Sequence, residues 1–177
     1  MKKRLLALIP EIQMIKDAGL RKKTETVWQD AVERSGWTIQ ELTGIPFTLL
    51  IPGIKINIIQ HTRAVTQTSL KIAEVLEEQY GGRVPVDRDI LLAGALLHDI
   101  GKLFEYRKDK GAFVKSREGE LLRHPISGAA FAFGYGLPPE VVHIIAVHSR
   151  EGEGGKRTVE AVIVHHADFV NFDTLKA

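Results

Sequence analysis

No cysteine occurs among the 177 residues. Disulfides are therefore excluded, and so is any thiolate metal site. A bound metal would have to be held by imidazole and oxygen. Long apolar runs are missing too. Met1-Lys2-Lys3-Arg4 followed by Leu5-Leu6-Ala7-Leu8-Ile9 has the outline of a secretion signal, but Pro10-Glu11 ends the apolar run too early. Nothing approaches the length of a membrane-spanning helix. A cytoplasmic protein with no membrane partner is expected. Charge of one sign is scarce, with a net +2 when histidine is neutral. That is too little to argue for nucleic-acid binding from composition. Strand signals are few. The glycine-rich stretch at 151–155 has neither a phosphate-loop pattern nor a preceding strand, and reads as a mobile rim.

What is present fits one soluble domain. Apolar residues make up 44% and charged residues 26%. These are ordinary globular values, enough to build a core without help from a metal. The reading is all-α: a single-domain helical bundle, with residues 1–50 as a helical extension and 55–175 as the core. Thr38 and Glu41 make a capping box, soon ended by Gly44 and Pro46. Residues 24–35 read as a helix. The stretch 47–59 is apolar but broken by Pro52 and Gly53, and suggests a buried loop. A helix from His61 to about Gln79 places Val65, Ile72, Val75 and Leu76 on one face. Asp87 can cap a helix over 90–97 that is apolar all round, as a central bundle helix would be. A polar connection follows over 107–120. Helices then start near His124-Pro125, at Pro138-Pro139 and at Thr158, the last running to about Phe172. Trp28 and Trp37 are expected to hold the N-terminal helices on the bundle.

Seven histidines are present, and four fall near expected helix ends: His61, His98, His124 and His148. Helix ends in a bundle can converge on one point, and bundle cores often hold metals. Asp99 follows His98 directly, and Asp168 lies on the last helix. A lone histidine is more often structural. The same bland explanation for all six residues together is much weaker. His98-Asp99 leaves an apolar helix near the core, where an unpaired carboxylate is costly and metal coordination is a usual remedy.

Leu96-Leu97-His98-Asp99-Ile100-Gly101-Lys102 resembles the signature of the HD superfamily of metal-dependent phosphohydrolases, in its HDIG form. That family's order of His, His-Asp and distant Asp matches His61, His98-Asp99 and Asp168. Members with two metals add two histidines in between, matching His124 and His148. Three further segments resemble the HD domain of YhaM-type 3′–5′ exoribonucleases: Gly119-Glu120-Leu121-Leu122-Arg123-His124, Ile144 to His148, and Val164-His165-His166-Ala167-Asp168. The likeness departs in two respects. His148-Ser149 stands where such enzymes, and HD-GYP phosphodiesterases, tend to have two histidines, and the Gly-Tyr-Pro element is missing. No nucleic-acid-binding OB domain is expected within these residues.

The resemblance implies a metal-dependent phosphoester hydrolase acting on a small phosphorylated substrate, a nucleotide or short oligonucleotide. His61, His98, Asp99 and Asp168 would hold one metal, with Asp99 bridging to a second held by His124 and His148. Such ligands suit Fe, Mn, Co, Ni or Zn. Two cations about 3.5–4 Å apart can clamp a phosphoryl group and acidify a water between them. Asp99 and Lys102 are the expected catalytic pair, with Lys102 neutralising phosphate charge. Arg63 and Arg150 neighbour ligands and are candidates to bind phosphate. His143, His165 and His166 read as packing residues, with one of the last two able to orient a ligand. The same ligand set also admits a diiron oxygenase, and a single metal would indicate a mononuclear nucleotidase. The first 50 residues could form a cap, a partner site or the surface of a homodimer.

Overall fold

The computed structural model describes residues 2–177; Met1, the first residue of the expected extension, lies outside the described residues. The chain is built mainly of helices. The N-terminal part holds α1 (Lys2–Leu8), a 3-10 turn and α2 (Ala18–Ser35). The long α3 (Ile58–Tyr80) follows a loop, then come α4 (Arg88–Leu97) and the one-turn α5 (Lys102–Glu105). A hairpin of β1 (Tyr106–Asp109) and β2 (Ala112–Lys115) leads to α6 (Arg117–Leu121). The chain closes with α7 (His124–Phe133), α8 (Pro139–Val147) and α9 (Val159–Lys176).

Local chemistry explains the boundaries. Asn57 and Gln60 form a reciprocal capping box, so α3 begins three residues before His61 rather than at it. The Asp87 carboxylate accepts from the backbone N–H groups of Asp89 and Ile90 and starts α4 as expected. Thr38 and Glu41 exchange the hydrogen bonds of the expected capping box, though a single 3-10 turn is all that follows. α2 starts at Ala18, capped by Asp17, and α9 runs to Lys176. Both are longer than the sequence pattern indicates, because their ends carry exposed polar residues with no apolar period.

Two expectations need correction. The connection over 107–120 is not irregular: it holds the antiparallel hairpin, with Tyr106 opposite Lys115, and α6. Four-residue strands, β1 mostly exposed and β2 half-buried, leave no alternating apolar signal. Val75 is also exposed and does not share the buried face of Val65.

α4 is the axis of the molecule. Its residues from Leu91 to Leu97 are all buried. Leu92 and Leu96 join one apolar cluster with Leu5, Ile12, Val27, Trp28 and Ile45 from the N-terminal part. Leu91 and Ala95 join a second cluster with Val65 of α3, Ile144 of α8 and Val164 of α9. The two tryptophans fasten the first layer. The indole N–H of Trp28 donates to the Leu96 carbonyl at 3.0 Å, and that of Trp37 to the Leu103 carbonyl at 2.9 Å. Carbonyls at a helix end lack helical partners, so these bonds satisfy groups that burial would otherwise orphan. Among the described residues, no helix is long and apolar enough to cross a membrane.

Candidate metal centre

The end of α4 carries the centre. His98 and Asp99 fall in the turn after it, where the backbone stops being helical but stays buried. Both side chains are essentially inaccessible. α3 brings His61 from its first turn, α7 brings His124 as its first residue, α8 brings His148 just past its last, and α9 brings Asp168. These six residues, far apart in sequence, meet in one place.

Asp99 lies between two histidine pairs. Its Oδ2 is 3.5 Å from His61 Nε2 and 3.3 Å from His98 Nε2. Its Oδ1 is 3.4 Å from His124 Nε2 and 3.7 Å from His148 Nε2. Ligands about 2.1 Å from a common ion stand roughly 3.0–3.4 Å apart, so both sets are near coordination spacing. Asp168 Oδ1 lies 2.9 Å from His61 Nε2 and 3.9 Å from His98 Nε2, on the Oδ2 side. His61, His98 and Asp99 form one group able to hold an ion; Asp99, His124 and His148 form another.

The hydrogen bonds of His98, His124 and His148 determine which nitrogen of each of these rings is free in its neutral form. His98 Nδ1 lies 2.7 Å from the Ala95 carbonyl, and His148 Nδ1 lies 2.8 Å from the Ile145 carbonyl. Each histidine ends a helix and turns back three residues to an unpaired carbonyl. His124 Nδ1 lies 2.8 Å from Glu105 Oε2. Carbonyl and carboxylate oxygens only accept, so the proton sits on Nδ1 and each neutral ring presents its Nε2 lone pair inward. The Nε2 atoms of His124 and His148 then face each other at 3.3 Å. Two lone pairs at that distance repel unless something positive stands with them. His98 Nε2 and Asp99 Oδ1 are buried with no hydrogen-bond partner. Unpartnered donors of this kind, all imidazole and carboxylate, fit a divalent transition metal.

The electrostatics agree. Burial pushes His124 down to about 4, against the pull of Glu105, and keeps it neutral. Burial also lowers His61. Burial is the largest single effect on His98 and works against a proton, but Asp99, Asp168 and the Ala95 carbonyl together outweigh it and the net shift is upward. For Asp99 burial raises and Lys102, then His98, lower; the carboxyl ends well below its usual range. Asp168 is held low in the same way, by the hydrogen bond from His61 against burial. Lys102 donates to Asp99 Oδ2 at 2.6 Å, and despite its burial the Asp99 charge keeps it protonated.

Glycine sets the closeness of the elements. A Cβ on Gly101 would meet the carbonyl oxygen of His124 at 2.1 Å, so the start of α7 lies directly on the turn that carries Asp99. A Cβ on Gly119 would meet the backbone of Glu105 at 2.3 Å. That contact seats α6 beneath a residue that sequence reasoning missed. Glu105 is buried and accepts from both the backbone N–H and Nδ1 of His124, each at 2.8 Å. It fixes the ring from outside. Nothing in its sequence context distinguishes it, because its partner lies nineteen residues on.

A cavity of about 350 Å³ opens beside the centre. Lys102, His124 and Asp168 lie on its wall, and so does Arg150. Arg63 is not on that wall. Its guanidinium is paired with Glu11 at 2.9 Å, which draws it towards the N-terminal segment, so its role as a phosphate contact is not supported. Lys115 and Arg123, absent from the sequence-based candidates, line the cavity instead. Both reach Glu105, at 3.9 and 3.4 Å. The far end of α9 supplies Phe169, Phe172, Asp173 and Lys176. The glycine-rich rim is partly anchored: Arg150–Gly152 form a 3-10 turn, and Gly152 is buried against α8. His165 Nδ1 donates to the His148 carbonyl at 2.6 Å and so braces a member of the centre.

The family model of the HD domain matches residues 58–171, a span that includes all six residues of the centre. The dihydroneopterin 2′,3′-cyclic phosphate phosphodiesterase of Methanocaldococcus jannaschii is 36% identical over 170 residues, covering 91% of this chain and 66% of that protein. Ribonuclease Y of Acidothermus cellulolyticus is 37% identical over 86 residues, covering 49% of this chain and 15% of that protein. The chain thus spans slightly under two thirds of the first relative and a small part of the second. No solved structure matches significantly. The family match covers the elements that bring these six residues together, and the chain belongs to the HD domain family, a family of metal-dependent phosphohydrolases.

Proposed function

We propose that this chain hydrolyses a phosphodiester of a small nucleotide-like compound, using two divalent transition-metal ions that share Asp99. The observation that carries the reading is the two-sided Asp99 carboxylate, with a different histidine pair at each oxygen. His61, His98, Asp99 and Asp168 would hold one ion, and Asp99, His124 and His148 the other. Two such ions supply an acidified water and neutralise charge on the phosphoryl group. The M. jannaschii relative, whose name specifies a 2′,3′-cyclic phosphate, supports a cyclic diester as the substrate.

The protein's own groups then have separate tasks. Glu105 holds the His124 proton on Nδ1 and so keeps Nε2 available. Lys102, buried and cationic beside Asp99, stands where phosphate charge would build up. Arg123, Lys115 and Arg150 on the cavity wall would bind and orient the remaining phosphate oxygens.

The test is elemental analysis of wild type and His124→Ala, purified without chelator, followed by assay with Mn on cyclic and linear diesters and on monoesters. About two ions per chain, falling to about one in the variant, with diester turnover lost in His98→Ala, is the expected result. One ion unchanged by His124→Ala, with turnover of nucleoside monophosphates alone, would replace this reading with a mononuclear nucleotidase. An oxygen-dependent product from iron-loaded protein would replace it with a diiron oxygenase.

A further inference from the structure

The cavity beside the centre has walls of two chemical kinds. One is basic, with Lys102, Lys115, Arg123 and Arg150. The other is apolar, with Leu49, Leu50, Phe169 and Phe172. The basic wall accounts for a phosphate. It does not account for the apolar one.

Phe169 and Phe172 are one turn apart on α9, so they share a face. They begin one residue past Asp168, itself a member of the centre. Neither belongs to the apolar clusters that hold the fold together. Phe172 meets Phe47 edge-on at 6.0 Å between centroids, and Phe47 stacks on His61 at 4.3 Å. The loop from Phe47 continues into Thr48, Leu49 and Leu50, and Leu50 is 67% exposed. The apolar wall therefore starts at the centre and runs outward along two elements. Leu49 also packs on the N-terminal cluster, but Leu50, Phe169 and Phe172 line the concave site without joining the core, and such groups are suited to a ligand with an apolar face. Aromatic faces suit a flat one, since heterocyclic rings stack on them.

The same wall carries one acid of a distinct kind. Glu105, Glu151 and Asp168 are all tied to basic side chains. Asp173, next to Phe172 at the rim, makes no ion pair among the described residues. An ionised carboxylate accepts hydrogen bonds and donates none. It would favour a ring whose edge presents adjacent N–H and amino donors over one that presents an acceptor there.

Resting on the hydrolase reading above, we propose that Phe169 and Phe172 form a ring subsite and that Asp173 selects the ring's donor edge. The substrate class is the cyclic phosphate of a single nucleoside-like unit bearing a 2-amino-4-oxo heterocycle, of guanine or pterin type. A volume of about 350 Å³ is at the small end of ligand sites, which favours one such unit over a polynucleotide chain.

The experiment is calorimetric binding to the full, Mn-loaded chain. The probes are guanosine 3′-monophosphate, adenosine 3′-monophosphate, a methyl riboside 3-phosphate lacking the ring, and a short oligonucleotide. Turnover of guanosine 2′,3′-cyclic phosphate and of the ringless cyclic phosphate is measured in parallel. Guanosine phosphate is expected to bind about tenfold or more tighter than the ringless compound, as stacking of one base implies. Phe172→Leu keeps apolar volume but removes the flat face. It should close most of that gap while leaving the ringless phosphate within about twofold, because phosphate contacts are separate. Asp173→Asn, exposed and shape-preserving, should bring guanosine and adenosine phosphates together.

Equal affinity for ring-bearing and ringless phosphates would overturn the subsite, as would no binding of either or an equal loss of both in Phe172→Leu. Tighter binding of the oligonucleotide than of the single unit would overturn the size assignment. Turnover of both cyclic phosphates without ring preference would sink the subsite and leave the hydrolase reading standing. Ring-selective binding with no turnover of any ester would do the reverse.

Discussion

The candidate metal centre and the cavity wall touch, yet they are built on opposite principles. The six residues of the centre are buried or nearly so, and three are fixed by the backbone: His61 by a capped first turn, His98 and His148 by a carbonyl three residues back. The other three are held by buried or half-buried side chains, His124 by Glu105, Asp168 by His61 and Asp99 by Lys102. Away from the centre, where Lys102, Glu105 and His124 are buried, the wall comes mostly from exposed or half-buried side chains of a loop, a strand, a short turn and the last helix. Burial makes the difference. A charge out of water must be paired or it is very costly, so a buried centre admits few residue types at few positions. An exposed wall carries no such penalty, and many residues would serve.

The largest effect that would break this contrast is expected at Asp99. Asp99→Asn removes the charge between both histidine pairs and leaves Lys102 buried without its carboxylate. Turnover should fall by about a thousandfold or more, the scale at which losing a charge-stabilising group is felt. The metal-free variant should also lose about 3–5 kcal/mol in denaturant unfolding, the usual result of stranding one partner of a buried pair. A stable variant with high activity would show that the centre is no more constrained than the wall.

An intermediate effect is expected at Glu105, which belongs to both regions. Glu105→Gln keeps an acceptor for His124 but gives up the charge shared with Arg123 and Lys115. Metal affinity should weaken by about ten- to a hundredfold, as for other groups that orient a ligand from outside. Competition with a chelator reads it directly. Unchanged affinity would mean that helix α7 alone positions His124.

The smallest effect is expected on the wall. Arg150→Ala should raise KM by about tenfold through one lost charged hydrogen bond. Stability should stay within about 0.5 kcal/mol, since the side chain is exposed. A comparable loss of stability would remove the distinction between the two regions.

Legibility from sequence follows the same division. His61, His98, Asp99, His124 and His148 stand out because they are polar residues at or beside helix ends; Asp168, in the middle of α9, is legible through the family's order of ligands. α4, α7 and α8 were readable from apolar runs bounded by Asp87, Pro125 and Pro139. Glu105, Lys115 and Arg123 were not, because acids and bases in a polar connection look like ordinary surface. The hairpin is hidden for a similar reason: its short strands fully bury only Tyr106 and show no alternation of buried and exposed positions. Arg63 was misleading because nearness in sequence to His61 says nothing about Glu11, fifty-two residues earlier, which claims its guanidinium.

Gly101 has a consequence for how this architecture can drift over generations. Its contact with the His124 carbonyl joins main chain to main chain, with no side chain between them. The separation between the two histidine pairs is therefore gauged by peptide backbone, the one part of a protein that substitution leaves the same. Core side chains around α4 can be exchanged one by one without resetting that gauge. Position 101 itself has no such latitude, and there even a methyl group would alter the spacing.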